Sequence, residues 1–346
     1  MARSQTDALD YKVLQRELKE KGPGPLYLFW GEEDYLRDTF VAELRAACLE
    51  EGWEEFDAKR LDGRQLDLDM LSDALDALPF SGGRVFVELR DFDPGQCRAD
   101  TAQRMMTLLS NIPEWCTLVI TLPAGQAPDG RLALVKHCKK IGRAVEFTTQ
   151  PQDKLLPWIA RRFSGRGKRI GRVEAERLIF LSGDLMNRLI PEIEKIAAYS
   201  SGEYITVKDI EAVAHRIPEA DVFEMCDCLS RRDIEGAVLR MAELLSTKES
   251  PIAILAVLGS QMRRLYAARL AQEQKLGAEF VKEVCALRFD FIAKKLMDSA
   301  RRFTTEQLAD AVALCAEMDY RMKSSSQNDE ELLKELLLRL AMGGAA

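Results

Sequence analysis

The run Gly31-Glu32-Glu33-Asp34-Tyr35-Leu36-Arg37-Asp38 follows an apolar stretch and opens a helical pattern. In an α/β protein this is where backbone N–H groups at a helix N-terminus cradle a phosphate. A phosphate loop needs Gly-x-x-x-x-Gly-Lys-Ser/Thr there, the Lys to neutralise the phosphates and the hydroxyl to hold magnesium. Both are absent, and three acids stand in their place. They satisfy the positive end of the helix with the chain's own charge and would repel a triphosphate. Glu88 and Asp91, around the end of the segment RVFVEL, have the types of magnesium ligands. Without a cradle upstream they read as solvated strand-end residues. The expectation is that this part of the chain binds no ATP, and that the chain has no cofactor.

Other chemistry is equally thin. The two histidines, His137 and His215, stand in helical or loop contexts without a nucleophile-elbow arrangement. The eight cysteines (Cys48, Cys97, Cys116, Cys138, Cys226, Cys228, Cys285 and Cys315) follow no disulfide framework. Cys226-x-Cys228 is the one close pair, and no second pair lies at zinc-ligand spacing, so it reads as two small buried thiols on a helix. No catalytic residue and no metal site is expected, and the isolated chain is not read as an enzyme.

Two features point to binding instead. Residues 154–172 (KLLPWIARRFSGRGKRIGR) hold seven Lys/Arg and no acid. One reading is a face toward a phosphate backbone, with Arg161, Arg162, Arg166, Lys168 and Arg169 as the DNA-facing residues. The other is an amphipathic helix with Trp158 and Phe163 in the core and the charges simply solvated. Arg131, Lys136, Lys139, Lys140 and Arg143 carry the same ambiguity. The second feature is Leu78-Pro79-Phe80-Ser81-Gly82-Gly83, which projects apolar groups where only small residues screen them. Docked in a partner's pocket, each is worth roughly 1.5–3 kcal/mol. Folded back, Leu78 and Phe80 would cap their own core, and spacing alone leaves both readings open.

The elements that must position these residues change along the chain. Up to about residue 150 strand and helix patterns alternate, the mark of a mostly parallel five-strand sheet with crossovers. Residues 26–30 form a continuous apolar run of the fully buried kind. Residues 56–62 read as a weak strand, and 84–89, 117–122 and 144–147 as the others. Leu36, Phe40, Leu44 and Cys48 line one helix face. Leu68, Leu71, Leu75 and Leu78 line another, stopped by Pro79. Residues 148–152 form a polar linker, and beyond it no strand is expected. Leu155, Leu156, Ile159 and Phe163 make one helical face; Val173, Arg177, Leu178 and Leu181 a second; Leu189, Ile193, Ile196 and Ala197 a third. Thr206 with Asp209 reads as a relative of the capping box. Helices then follow from about 221, over 233–245, 251–274, 289–301, 304–323 and 328–341.

With 346 residues, two or three domains are expected. Lys+Arg number 49 against 56 Asp+Glu, a formal charge of −7, which argues against a free-standing nucleic-acid binder. The start lacks a signal-peptide core. The longest uncharged stretches, 115–128 and 250–262, fall short of the ~20 apolar residues that span a bilayer. A cytoplasmic location with reduced thiols, and no membrane partner, is the expectation.

A resemblance joins these pieces. LYLFWGEEDYLRDTF resembles the start of the delta subunit of bacterial DNA polymerase III, the clamp-loader component. GDLMNRLIPEIEKIAAYSSGEYITVKDIEAV resembles that family's second domain, and VFEMCDCLSRRDIEGAVLRMAELLSTKESPIAILAVLGSQMRRLY its collar domain. DYRMKSSSQNDEELLKELLLRL is similar to its last helix pair. The resemblance implies an α/β AAA+-like domain with a parallel sheet over residues 1–147, lacking a working phosphate loop. A small helical lid-type domain would follow over 148–217, and an all-α collar domain over 218–346. It implies a subunit of the polymerase III holoenzyme, a nucleotidyltransferase complex, that grips the sliding clamp and holds its ring open for loading onto primed DNA. The implied partners are the clamp (beta subunit), the gamma/tau and delta-prime subunits, and primed DNA within the assembly. The family's clamp contact is an apolar pair just before the third strand, which matches Phe80, with Leu78 and Pro79 beside it. The chain departs at the second apolar place, where Ser81 stands, and leaves Leu78 or Pro79 to fill it. The alternative is a catalytically inactive AAA+-like protein that binds DNA directly through residues 154–172.

Overall fold

The computed structural model describes residues 11–246, 249–324 and 327–342. Its contacts group the chain into two compact units. One is built on the residues up to Gln150, together with Leu185–Asn187; the other runs from Pro151 to Asp184 and on from Arg188.

The first unit is a five-stranded sheet, all parallel, in the order β2-β3-β4-β1-β5. The strands are β1 (Leu26–Gly31), β2 (Ala58–Asp62), β3 (Val85–Arg90), β4 (Cys116–Thr121) and β5 (Arg143–Phe147). Every residue of β1 is buried because helices cover both faces of a doubly wound sheet, which explains its unbroken apolar run. On one face Leu26, Leu28 and Trp30 join Met105, Leu109, Leu134 and Cys138 in the core. On the other, Phe29 packs edge-on against Phe40 and Phe147. Phe40 lies on helix Asp34–Cys48, whose buried side carries Leu36, Phe40, Leu44 and Cys48 as the spacing predicts. Because all five strands run the same way, the loops divide between an N-terminal and a C-terminal end of the sheet.

Three expectations for this unit change. The weak strand over 56–62 begins only at Ala58, because Glu54–Asp57 close a single helical turn. A helix over Tyr11–Lys21, not anticipated, buries Leu14. The helix expected to carry Leu78 ends at Asp76, so Leu78 lies beyond it and is exposed.

Among its described residues the second unit is helical apart from one small parallel pair, β6 (Arg169–Ile170) with β7 (Tyr204–Ile205). This corrects the expectation of no strand beyond the linker; two-residue strands carry too little pattern to read. Leu155, Ile159 and Phe163 are buried on helix Gln152–Ser164, and Trp158 is half-buried. Helix Arg172–Ser182 buries Leu178 and Leu181, whereas Val173 faces solvent, contrary to its expected place in that stripe. Thr206 and Asp209 form a full capping box at the start of Val207–Val213. An ion network ties Arg177 to Glu211 and Glu224, and Arg216 to Asp221 and Glu224. Burial opposes ionisation of Glu224, but Arg216 and Arg177 hold its carboxyl below the ordinary range. Further along, helix Pro251–Glu273 packs its Ile254, Leu258, Met262 and Leu265 among helices that include Thr305–Ser324. Helix Ala278–Val284 was not anticipated.

Candidate functional site

The sequence Pro79-Phe80-Ser81-Gly82 makes a turn, with the Pro79 carbonyl accepting from the Gly82 N–H at 3.4 Å. Gly82 sits at φ +79°, a conformation in which only glycine avoids a Cβ penalty. The turn is held from below by Asp57, which is 1% exposed. One carboxylate oxygen accepts from the Phe80 N–H at 2.7 Å. The other accepts from the Ser81 N–H at 3.1 Å and the Ser81 hydroxyl at 2.7 Å. Burial pushes the Asp57 carboxyl up, but these bonds outweigh it and hold it below the ordinary aspartate value. The charge is therefore used locally, as the clip that shapes the loop between helix Leu68–Asp76 and β3. On the far side the Trp115 indole N–H donates to the Ala77 carbonyl at 3.1 Å.

With its backbone fixed, the loop turns its side chains outward. Leu78 is 70% exposed and Phe80 69%. Neither folds back as a cap on the core. Pro79 is half-buried between them. The Phe56 ring lies 5.7 Å from that of Phe80, and the Trp53 ring 5.8 Å from Phe56, both rings exposed. Phe80, Phe56 and Trp53 thus form a continuous aromatic surface at the N-terminal end of β2 and β3. Sequence reasoning missed Trp53, Phe56 and Asp57. The available signal was Trp-x-x-Phe on one helical turn just before a strand, two aromatics that share a face without a core to fill.

The basic stretch behaves differently. Arg166 pairs with Glu194, and Lys168 donates to the Ser200 and Gly202 carbonyls at 2.6 and 2.7 Å. Arg169 pairs with Glu203 at 3.0 Å and lies over Tyr204, and Arg172 pairs with Glu176 at 2.8 Å. Arg162 lies over the Trp158 ring at 5.1 Å, and Arg161 is exposed. Arg131 and Arg143, in the other basic cluster, pair with Asp129 and Glu17.

At the C-terminal end of β1, Gly31 has φ +128°, and a Cβ there would lie 2.2 Å from the Phe147 carbonyl oxygen. Glu33 is fully buried as the N-cap of helix Asp34–Cys48. Asp34 and Asp38 pair with the buried Arg37 at 2.7 and 2.9 Å. Burial pushes the Asp34 carboxyl up despite the opposing Arg37 charge. Glu88 pairs with Arg60, and Asp91 with Arg64.

The remaining candidates carry little chemistry. Ser110 Oγ lies 2.8 Å from His137 Nε2, but Ser110 is exposed, His137 is half-buried, and the hydroxyl donates to the Met106 carbonyl. Cys226 and Cys228 are buried on helix Pro218–Ser230, and burial pushes both thiols up. No helix among the described residues is long and apolar enough to cross a membrane.

A five-stranded parallel α/β unit followed by a long helical region defines an AAA+-like architecture. The comparisons make this specific. The family model for the DNA polymerase III delta subunit matches residues 27–148, and the model for the C-terminal domain of the same family matches residues 219–340. DNA polymerase III subunit delta of Bacillus subtilis (strain 168) is 25% identical over 331 residues, covering 94% of this chain and 95% of that protein. A solved structure of the Bacillus subtilis DNA clamp loader delta protein (YqeN) superposes with a TM-score of 0.53 at 24% identity, covering 96% of this chain and 99% of that one. The chain belongs to the DNA polymerase III delta subunit family, and it is a clamp-loader subunit of the replication machinery.

Proposed function

We propose that this chain grips the sliding clamp through Leu78, Pro79 and Phe80 and holds one interface of the ring open while the clamp is loaded onto primed DNA. The observation that carries this reading is the pair of exposed side chains on a loop clipped by Asp57: a preorganised apolar edge loses little entropy on docking. Differential affinity for the open ring then does the work, without covalent chemistry. The chain contributes no ATP site of its own, since the buried Glu33 and the Arg37-paired acids occupy the helix N-terminus that a phosphate would need. It is a non-catalytic member of the holoenzyme, and ATP is bound by its gamma/tau neighbours. Within this reading residues 1–147 are the clamp-binding domain, 148–217 a small lid-type domain, and 218–346 the collar that joins gamma/tau and delta-prime. The setting is the bacterial cytoplasm.

The alternative, direct DNA binding by the isolated chain, is disfavoured because Arg166, Lys168 and Arg169 already hold partners within the chain. Contact of Arg161, Arg162, Arg166, Lys168 and Arg169 with DNA is proposed only within the assembly, where some of these internal pairs would have to open. Calorimetric titration against the same organism's sliding clamp, without ATP, tests the proposal. Saturable binding that is lost in Phe80→Ala and weakened in Leu78→Ala is expected. Unchanged affinity in both folded variants refutes the site. Tight, steeply salt-dependent binding of the isolated chain to DNA would favour the alternative.

A further inference from the structure

We propose that Phe56 is a further apolar anchor of the docking surface beside Leu78 and Phe80, supported by Trp53, and that an acidic rim around it selects a partner pocket edged by basic side chains. This rests on the clamp-docking reading above. Ser81 adds no apolar group to the turn, its hydroxyl being committed to Asp57 at 2.7 Å. Phe56 lies on the neighbouring helical turn, its ring 5.7 Å from Phe80 and 52% exposed. Trp53 backs it at 5.8 Å and is itself 41% exposed. Exposed aromatic rings in mutual contact are uncommon on a surface without a binding role, and aromatic anchors dominate interface energetics. Asp57 ties the two halves together: it closes the turn that carries Phe56 and accepts the bonds that shape the loop carrying Phe80.

The surroundings specify the partner. Glu50, Glu51, Glu54 and Glu55 flank Trp53 and Phe56 in the chain, and all four are exposed. Glu50 reaches the other side of the patch, where a Cβ on Gly83 would lie 3.6 Å from its carboxylate. Glu54 accepts from the Gly52 N–H at 2.9 Å, which fixes its place on the rim. Lys59 is the nearby cation, and its field acts on the buried Asp57. An apolar centre flanked in the chain by four exposed glutamates, with Glu50 also reaching Gly83, fits a clamp pocket edged by Lys and Arg, and such complementarity acts mainly on the association rate. A second copy of this chain would set four carboxylates against four, so the patch is not a self-association face.

The test compares wild type, Phe80→Ala, Phe56→Ala and the double reversal Glu54→Lys/Glu55→Lys against the purified clamp by surface plasmon resonance at several salt concentrations. Phe56→Ala is expected to weaken binding roughly tenfold or more. The reversal should slow association and flatten its salt dependence. Tryptophan emission should shift to the blue when clamp is added, and Trp53→Phe should remove the shift. Loss of binding in Phe80→Ala with full affinity in Phe56→Ala overturns this inference while leaving the clamp reading intact. Full affinity in both variants overturns the two together. A salt response unaltered by the reversal, or a concentration-dependent dimer abolished by Phe56→Ala in sedimentation, also overturns it.

Discussion

Replacing Asp57 with Asn keeps the shape of the clip and removes its charge. Three donors converge on the carboxylate: the Phe80 N–H, the Ser81 N–H and the Ser81 hydroxyl. An amide has one accepting oxygen, so its NH2 must face a backbone N–H whichever way it is turned. With its oxygen toward Ser81 it loses the Phe80 bond, and the remaining two become neutral. Bonds to a charged acceptor contribute about 1.5–3 kcal/mol and neutral ones about 0.5–1.5. Some of that loss is offset because a neutral amide is easier to bury, which leaves about 2–3 kcal/mol. For a domain of this size that lowers Tm by about 4–12 °C. The sign with pH is fixed: Asp57 titrates below its ordinary value of 3.8 in the folded protein, so its contribution is complete above that value. It is lost as pH falls through the depressed folded value. Thermal melts of wild type and Asp57→Asn should therefore differ by the full amount at pH 7 and converge only in acid. The variant should also bind the clamp more weakly, because the loop must be ordered at the moment of docking. Equal Tm values at pH 7 would refute the claim that Asp57 holds the loop.

Other perturbations have equally definite outcomes. Gly31→Ala drives a Cβ onto the Phe147 carbonyl and should destabilise the sheet by about 3 kcal/mol or more, whereas Gly82→Ala, with open space around it, should cost about 1 kcal/mol; urea midpoints separate the two. Lys295 lies over Phe180 and Phe223, and burial together with the nearby Arg177 charge lowers its pKa to about 8. The unfolded chain then binds more protons between about 8 and the ordinary 10.5, so stability should rise with pH across that window. Lys295→Met should flatten the rise, and the lysine NMR titration should show one side chain near 8. Thr206→Ala removes a capping box and should cost about 1 kcal/mol in the melting of the second unit.

What could be read in advance followed burial. The run LYLFW announces a central strand because both of its faces are covered, and the four-residue spacing from Leu36 to Cys48 announces a helix with one buried side. The turn itself was legible in Pro79 and the two glycines, but whether Leu78 and Phe80 face outward or cap the core was not, because that depends on the neighbouring segments rather than on local spacing. The helix stripe nonetheless extends on paper to Leu78, since i+3 and i+4 spacing continues past the point where the chain leaves the helix at Asp76. Asp57 was invisible because its partners are backbone N–H groups 23 and 24 residues away, which have no signature in the sequence. The basic stretch was ambiguous because the acids that pair with it, Glu194 and Glu203, come from later segments.

The parallel sheet has a mechanical consequence. The Trp53–Phe56 turn and the Leu78–Phe80 loop both enter strands at the sheet's N-terminal end, while the Gly31–Asp34 segment leaves β1 at the C-terminal end. Strands of five or six residues place these ends roughly 20 Å apart. A hydrogen-bonded sheet filled on both faces resists shear, so a push at one end arrives at the other with little loss. The unit is built as a stiff strut, and under the proposed clamp-docking role it carries load between the Gly31–Asp34 end and the Phe80 tip.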